Sequence, residues 1–236
     1  MTQATPEKNP KKNESLIANL LFNIIIPTVI LMKLSGDEYL GTRWAIVVAL
    51  AFPIIYGLRD YTRTQKVNFF SALGVVSVML TGGISLLELD PKYIAIKEAA
   101  IPGLLGLATL ISLKTPYPLV KTFLYNDKVL QVEKVADALK THGTEAAFEK
   151  TLSNASVIVA CAFFLSSILN YILAKVLLVS PPGTVAFNAE LGKMTALSFP
   201  VIMVPAMVVM MSAMFYLFRS INKLTHLSLE DIIVQQ

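Results

Sequence analysis

The sequence predicts an all-α fold, a polytopic transmembrane helix bundle of six spans with both termini cytoplasmic. Three observations predict it. Six apolar stretches divide the 236 residues. Mean hydropathy is +0.63, and 15% of residues are charged against about 25% in soluble domains. Lysines and arginines concentrate in alternate connections between the stretches.

The stretches run Leu16–Met32, Trp44–Leu58, Val67–Leu89, Ala99–Leu113, Ala155–Leu178 and Met194–Phe218. Most approach the roughly 17–25 residues that carry an α-helix across about 30 Å of hydrocarbon. The first has a basic approach, but Leu31-Met32-Lys33-Leu34-Ser35 offers no small-x-small cleavage site, so it reads as a retained helix rather than a signal peptide. Orientation follows from counting. Fourteen lysines and arginines fall in the N-terminal tail, the second and fourth connections and the C-terminal tail, against six on the other side. By the positive-inside rule both ends lie in the cytoplasm. The net charge of +4 therefore reports orientation and lipid headgroups rather than nucleic acid.

Residues 1–14 read as a disordered cytoplasmic tail, 15–113 as helices one to four, 114–153 as a cytoplasmic loop, 154–219 as helices five and six, and 220–236 as a second cytoplasmic tail. The other side has short connections with turn residues, Ser35-Gly36-Asp37, Asp90-Pro91 and Pro181-Pro182-Gly183. The connection spanning roughly Val179–Lys193 is the longest of these. In the cytoplasmic loop Tyr117, Phe123 and Tyr125 alternate with Lys114, Lys121 and Lys128, which suits the headgroup level. Val132, Val135, Ala136 and Leu139 then predict an amphipathic helix ending near Gly143. It would lie on the membrane, cap the bundle or dock a partner.

The polar residues inside the spans are the candidate site. Ser71, Gly74, Ser77, Thr81, Ser85 and Glu88 step by three or four and share one face of the third helix. Such a face packs against another helix or lines a path. Asn19 and Asn23 repeat the theme in the first helix, four residues apart and followed by Pro27. Asn170 in the fifth helix, with Ser166, is a candidate for interhelical hydrogen bonds. Glu88, Asp90, Lys92, Lys97 and Glu98 gather where the third helix turns into the fourth, either as an ion-pair network of opposite charges or as a gate or ion-attracting vestibule with Glu88 or Glu98 at the outer mouth of a path. Pro27, Pro53, Pro102 and Pro200, with Gly82 and Gly83, are candidate hinges. Ala49–Ile55 and Ala196–Ile202 echo each other as a short internal repeat.

Catalytic signatures are missing. No Ser/His/Asp set, phosphate-binding glycine loop or metal-donor spacing occurs, so the expectation is no enzyme, no metal and no cofactor. The single cysteine, Cys161, allows no intramolecular disulfide. Met203, Met207, Met210, Met211 and Met214 lack cysteine or histidine companions, so they read as packing residues rather than copper ligands.

Phe22-Asn23 with Pro27, Pro53-Ile54-Ile55-Tyr56-Gly57, Thr81-Gly82-Gly83-Ile84, and Lys97-Glu98-Ala99 with Pro102 and Gly106 together resemble an uncharacterised bacterial inner-membrane family catalogued near intracellular septation protein A. The resemblance covers roughly Leu16–Leu124. It implies a multi-pass protein of the bacterial cytoplasmic membrane, and some members carry a transporter label. Septation protein A proteins are smaller with fewer spans, so a septation role does not carry over. The expectation is a small-solute or ion transporter with a polar path between helices one, three and four, in a homo-oligomer because six short helices enclose little interior. The competing expectation is a non-transporting membrane scaffold in envelope biogenesis or division.

Overall fold

The computed structural model describes residues 20–64, 69–115, 121, 125 and 130–233, apart from the side chains of 60, 61, 63, 64, 69–72 and 229. Asn19, the tail Met1–Glu14, Tyr117, Phe123, Lys128 and the side chain of Ser71 lie outside the described residues. Those described form eight helices: α1 (Leu21–Lys33), α2 (Gly41–Thr64), α3 (Phe69–Leu86), α4 (Lys92–Ser112), α5 (Val132–His142), α6 (Glu145–Leu177), α7 (Val185–Thr225) and α8 (Leu229–Ile232). Among them α2, α4, α6 and α7 are long and apolar enough to cross a membrane, and α1 and the Leu73–Leu86 part of α3 are shorter apolar helices.

Two boundaries differ from the sequence expectation. The last long helix begins at Val185, not Met194, so the connection before it shrinks to residues 178–184. Thr184 starts it, its Oγ1 accepting the Phe187 N–H at 3.1 Å, the usual service of a hydroxyl before a helix. The C-terminal segment is also not a plain tail. His226 closes α7 in the left-handed conformation at φ 58°, and the chain folds back into α8.

Prolines act in two ways. Pro53 and Pro102 sit inside unbroken α2 and α4. By contrast α1 opens with a π-helical turn, Leu21–Ile25, and α7 contains another, Phe199–Met203. A proline follows each by two residues, Pro27 and Pro205. In the first turn the Ile26 N–H reaches back to Leu21 O, one residue further than in an α-helix. The extra residue absorbs the register lost where proline has no donor. Pro200 lies inside the second π turn. The echo between Ala49–Ile55 and Ala196–Ile202 therefore does not repeat the backbone, which is α-helical in one and turns π-helical at Phe199 in the other.

The chain divides into two compact units, Met1–Lys97 with Ile172–Ser198, and Glu98–Tyr171 with Phe199–Gln236. In the first, α1 packs on α2 and on the opening turns of α7, and α2 packs on α3. Glycines permit the close approaches. A Cβ on Gly192 would stand 2.9 Å from Met32 Cγ and 3.1 Å from Thr28 O, and one on Gly82 would stand 2.5 Å from Leu50 Cδ1. Gly82 thus makes room for Leu50 where α3 packs on α2.

In the second unit, Val135 and Leu139 of α5 join Leu130, Phe148, Leu152, Leu217, Ile221 and Ile232 in one buried cluster. The apolar face of α5 is thereby covered by its own chain. Tyr125 packs its ring on Phe148, with centroids 4.9 Å apart, and donates its hydroxyl to Val132 O. Gly143 ends α5 at φ 63°, where its N–H meets Leu139 O and Lys140 O, a left-handed cap natural to glycine. Within the same unit α4 and α6 meet through glycines: a Cβ on Gly106 would be 3.0 Å from Phe164 Cε1, and Ser167 beside Gly103 donates to Ala99 O at 2.7 Å.

Candidate functional site

The polar face of α3 is met by a lysine from the next helix. Lys97 lies about one and a half turns into α4, and its ammonium donates to Thr81 Oγ1 at 2.6 Å, Ser77 Oγ at 3.1 Å and Ser77 O at 3.3 Å. Thr81 in turn donates to Ser77 O at 3.1 Å and is 9% exposed. Hydrogen bonds of this kind are what make a cation tolerable beside apolar helix surface. Sequence reasoning singled out Ser77 and Thr81 and placed Lys97 in the terminal charge cluster, not against that face.

The rest of that face is uneven. Gly74 faces open space, with nothing within 4 Å of a Cβ built there. Ser85 is 1% exposed, and its Oγ has no hydrogen-bond partner among the described residues. Glu88 has left the helix. It takes the left-handed conformation at φ 54° that closes α3, a position that usually belongs to glycine. Its carboxylate pairs with Arg43 at 3.3 Å and lies against Gly183, where a Cβ would come within 2.9 Å of Glu88 Oε1. Gly183 itself has φ 79°, so the site demands glycine twice over, for conformation and for space.

The expected charge pairing at this end is present with partners of its own. Asp90 pairs with Lys92 at 3.2 Å and accepts the Lys92 N–H at 2.8 Å, capping α4. That backbone hydrogen bond is the main reason its carboxyl is held below the usual range, with the Lys92 and Lys175 charges adding to it. Arg43, from the start of α2, was not among the expected partners. Glu98 is half-buried one residue beyond Lys97.

A second polar contact went unread in the sequence. Asn188, fully buried in α7, donates to Ser35 Oγ at 3.1 Å and to Thr42 O at 2.8 Å. Ser35 donates onward to Leu31 O at 2.8 Å. The amide thereby ties the α1–α2 connection to α7. Two residues further along α7, Glu190 accepts the N–H groups of Val179 and Ser180 and the Ser180 hydroxyl at 2.6 Å, folding the α6–α7 connection onto the helix. Asn188 fell in a segment read as loop, so no helical face drew attention to it.

The remaining candidates stand as follows. Asn23 is half-buried within the first π turn, next to Phe22, whose ring stacks on Phe52 and Tyr56 at 6.2 and 5.9 Å. Asn170 donates to Ser166 O of its own helix at 2.8 Å, and the α6 hydroxyl that crosses to another helix is Ser167. Gly83 faces open space. Met203, Met207 and Met211 are 48%, 51% and 60% exposed. They lie on a face of α7 that no described element covers, so the packing expected of all five methionines falls mainly to Met210, which contacts the buried Ala155, Val159 and Ala213. Among the described residues no three His, Cys, Asp or Glu side chains gather as metal donors.

No protein family, no curated protein and no solved structure matches the chain.

Proposed function

We propose that the chain is a six-span protein of the bacterial cytoplasmic membrane, with both termini inside, that moves a small solute or ion across it. The observation that carries this reading is the Lys97 ammonium seated on Ser77 and Thr81 within apolar helices. An ionisable group there is costly, and its commonest use is on a substrate or ion path. The π turns before Pro27 and Pro205 supply two places where a helix departs from regular geometry. Support for six spans comes from the six apolar stretches, for orientation from the distribution of basic residues, and for the bacterial membrane from the motif resemblance.

A non-transporting scaffold is the competing reading. What favours it is the small folded module of α5 and α8 with its own buried cluster, which offers the polar outer face of α5 to a partner.

Proteoliposomes separate the two. Wild-type protein should pass nitrate or potassium, Lys97→Met should abolish that flux, and Lys97→Arg should keep part of it. Flux that survives Lys97→Met removes the assigned role. Absence of any flux, with Lys97→Met lowering only the unfolding midpoint, favours the scaffold.

A further inference from the structure

Two grooves follow each other along α7. The first is apolar, holds about 690 Å³ and is lined by Val204, Met207, Val208, Met211, Ser212 and Phe215. The second is basic, holds about 520 Å³ and is lined by Arg219, Asn222, Lys223 and His226. Val208, Met211, Phe215, Arg219, Asn222 and His226 advance by three or four residues, so both grooves occupy one helical face. Val208, Met211 and Phe215 are 62%, 60% and 67% exposed. From Val204 to Phe215 the helix rises about 16 Å, roughly half the ~30 Å hydrocarbon thickness of a bilayer. The basic groove begins one turn beyond.

Cations at a helix C-terminus have a local explanation, since they complement the negative end of the helix dipole. That does not account for an exposed apolar stripe one leaflet deep leading directly to them. Arg219 and Lys223 form no salt bridge among the described residues, while Asn222 spends its amide N–H on Leu227 O at 2.6 Å. Arg219, Lys223 and His226 remain as donors, the last with its ring beside that of His142, centroids 5.2 Å apart. A second copy is a poor occupant. In one membrane it would have the same orientation, and a twofold pairing on this face would set Arg219 and Lys223 against their own counterparts.

We propose that this face of α7 binds one anionic phospholipid, its phosphate in the basic groove and an acyl chain along Val204–Phe215. The proposal rests on the membrane reading but not on transport. The test is native mass spectrometry of the intact protein in detergent, with phosphatidylglycerol and phosphatidylcholine of identical chains. One phosphatidylglycerol should be retained in preference. Arg219→Gln with Lys223→Gln should weaken retention roughly thirtyfold, at about a factor of five per cation near a charged surface. Arg219→Lys should keep most of it. Val208→Trp with Met211→Trp should fill the apolar groove and weaken retention with the charges intact. All these side chains are exposed, and unchanged unfolding midpoints confirm folding. Equal retention of the two lipids, or indifference to either double substitution, overturns the proposal. So does inorganic phosphate raising the unfolding midpoint as much as phosphatidylglycerol, which would mark a free-anion site. A lipid-free dimer broken by the tryptophans would give the face to a second copy instead.

Discussion

At the scale of the residue, a glycine in a tightly packed helix is judged by what a methyl group would meet. At Gly192 it would meet Met32 Cγ at 2.9 Å, Leu31 Cβ at 3.1 Å and Thr28 O at 3.1 Å. Only the methionine can swing aside, because the other two belong to the α1 backbone and its stiff first atoms. Overpacking of this kind costs typically 1–3 kcal/mol, so Gly192→Ala should lower the unfolding midpoint in detergent. At Gly83 nothing lies within 4 Å. Gly83→Ala should raise the midpoint, gaining about 0.5–1 kcal/mol from reduced backbone freedom. A matched fall in both variants would contradict the packing described for α1 against α7. Lys97 illustrates what a sequence shows of such a site. The spacing of Ser77, Thr81 and Ser85 marks a polar face on its own helix. The group that answers it lies on the next helix, and its register is set by the turn at residues 87–91, which no periodicity encodes.

At the scale of the element, amphipathic spacing was enough to place α5, because Val135 and Leu139 repeat at helical distance and Gly143 supplies the stop. What covers that face was not legible. Its partners, Leu217, Ile221 and Ile232, lie some eighty to a hundred positions away, the first at the end of the sixth apolar stretch and the other two in a segment whose polarity read as a tail. The docking of α8 is specific. Gln131 N–H donates to Ile232 O at 2.9 Å beside an antiparallel bridge of Leu130 with Ile233, and Lys134 pairs with Asp231 at 2.6 Å. The Lys134 hydrogen bond, followed by that from Ser228, lowers the Asp231 carboxyl from 3.8 to about 2. A carboxyl depressed in the folded state contributes stability that is complete above its ordinary value and is lost as pH falls through the folded one. The attachment of α8 should therefore hold down to pH 3.8 and loosen between there and about 2, and added salt should weaken it, since both partners are exposed. Asp231→Asn should mimic the acid state at neutral pH and speed carboxypeptidase trimming of the C-terminus. Trimming at the wild-type rate would show that the bridge and the Ile232 anchor suffice without the ion pair.

At the scale of the whole molecule, the number of crossings decides on which side every connection lies, and length alone leaves two answers. α2, α4, α6 and α7 are long and apolar enough to cross, whereas Leu21–Lys33 covers about 20 Å at 1.5 Å per residue, short of the ~30 Å of hydrocarbon. If all six apolar stretches cross, the α2–α3 connection and the α3–α4 turn face opposite sides. If α1 and α3 do not cross, those two connections face the same side, although residues 143–144 and the C-terminus keep their places relative to one another. Thr62 and Leu87 report on this pair of connections. Both are exposed, Leu87 at 71%, and replacing either leaves the Arg43–Glu88 and Asp90–Lys92 pairs intact. Cys161 is the only native cysteine, so Cys161→Ala gives a silent background. In intact cells of an expressing bacterium, Leu87→Cys should react with an impermeant maleimide, while Thr62→Cys should react only after the membrane is opened. The basic residues Arg59, Arg63 and Lys66 around Thr62 favour that outcome, since connections rich in lysine and arginine are retained on the cytoplasmic side as a rule. Equal labelling of both positions from outside would show that α3 does not cross. It would leave α3 and the Lys97 cluster at the surface of the membrane, and the transport reading would fall with the topology.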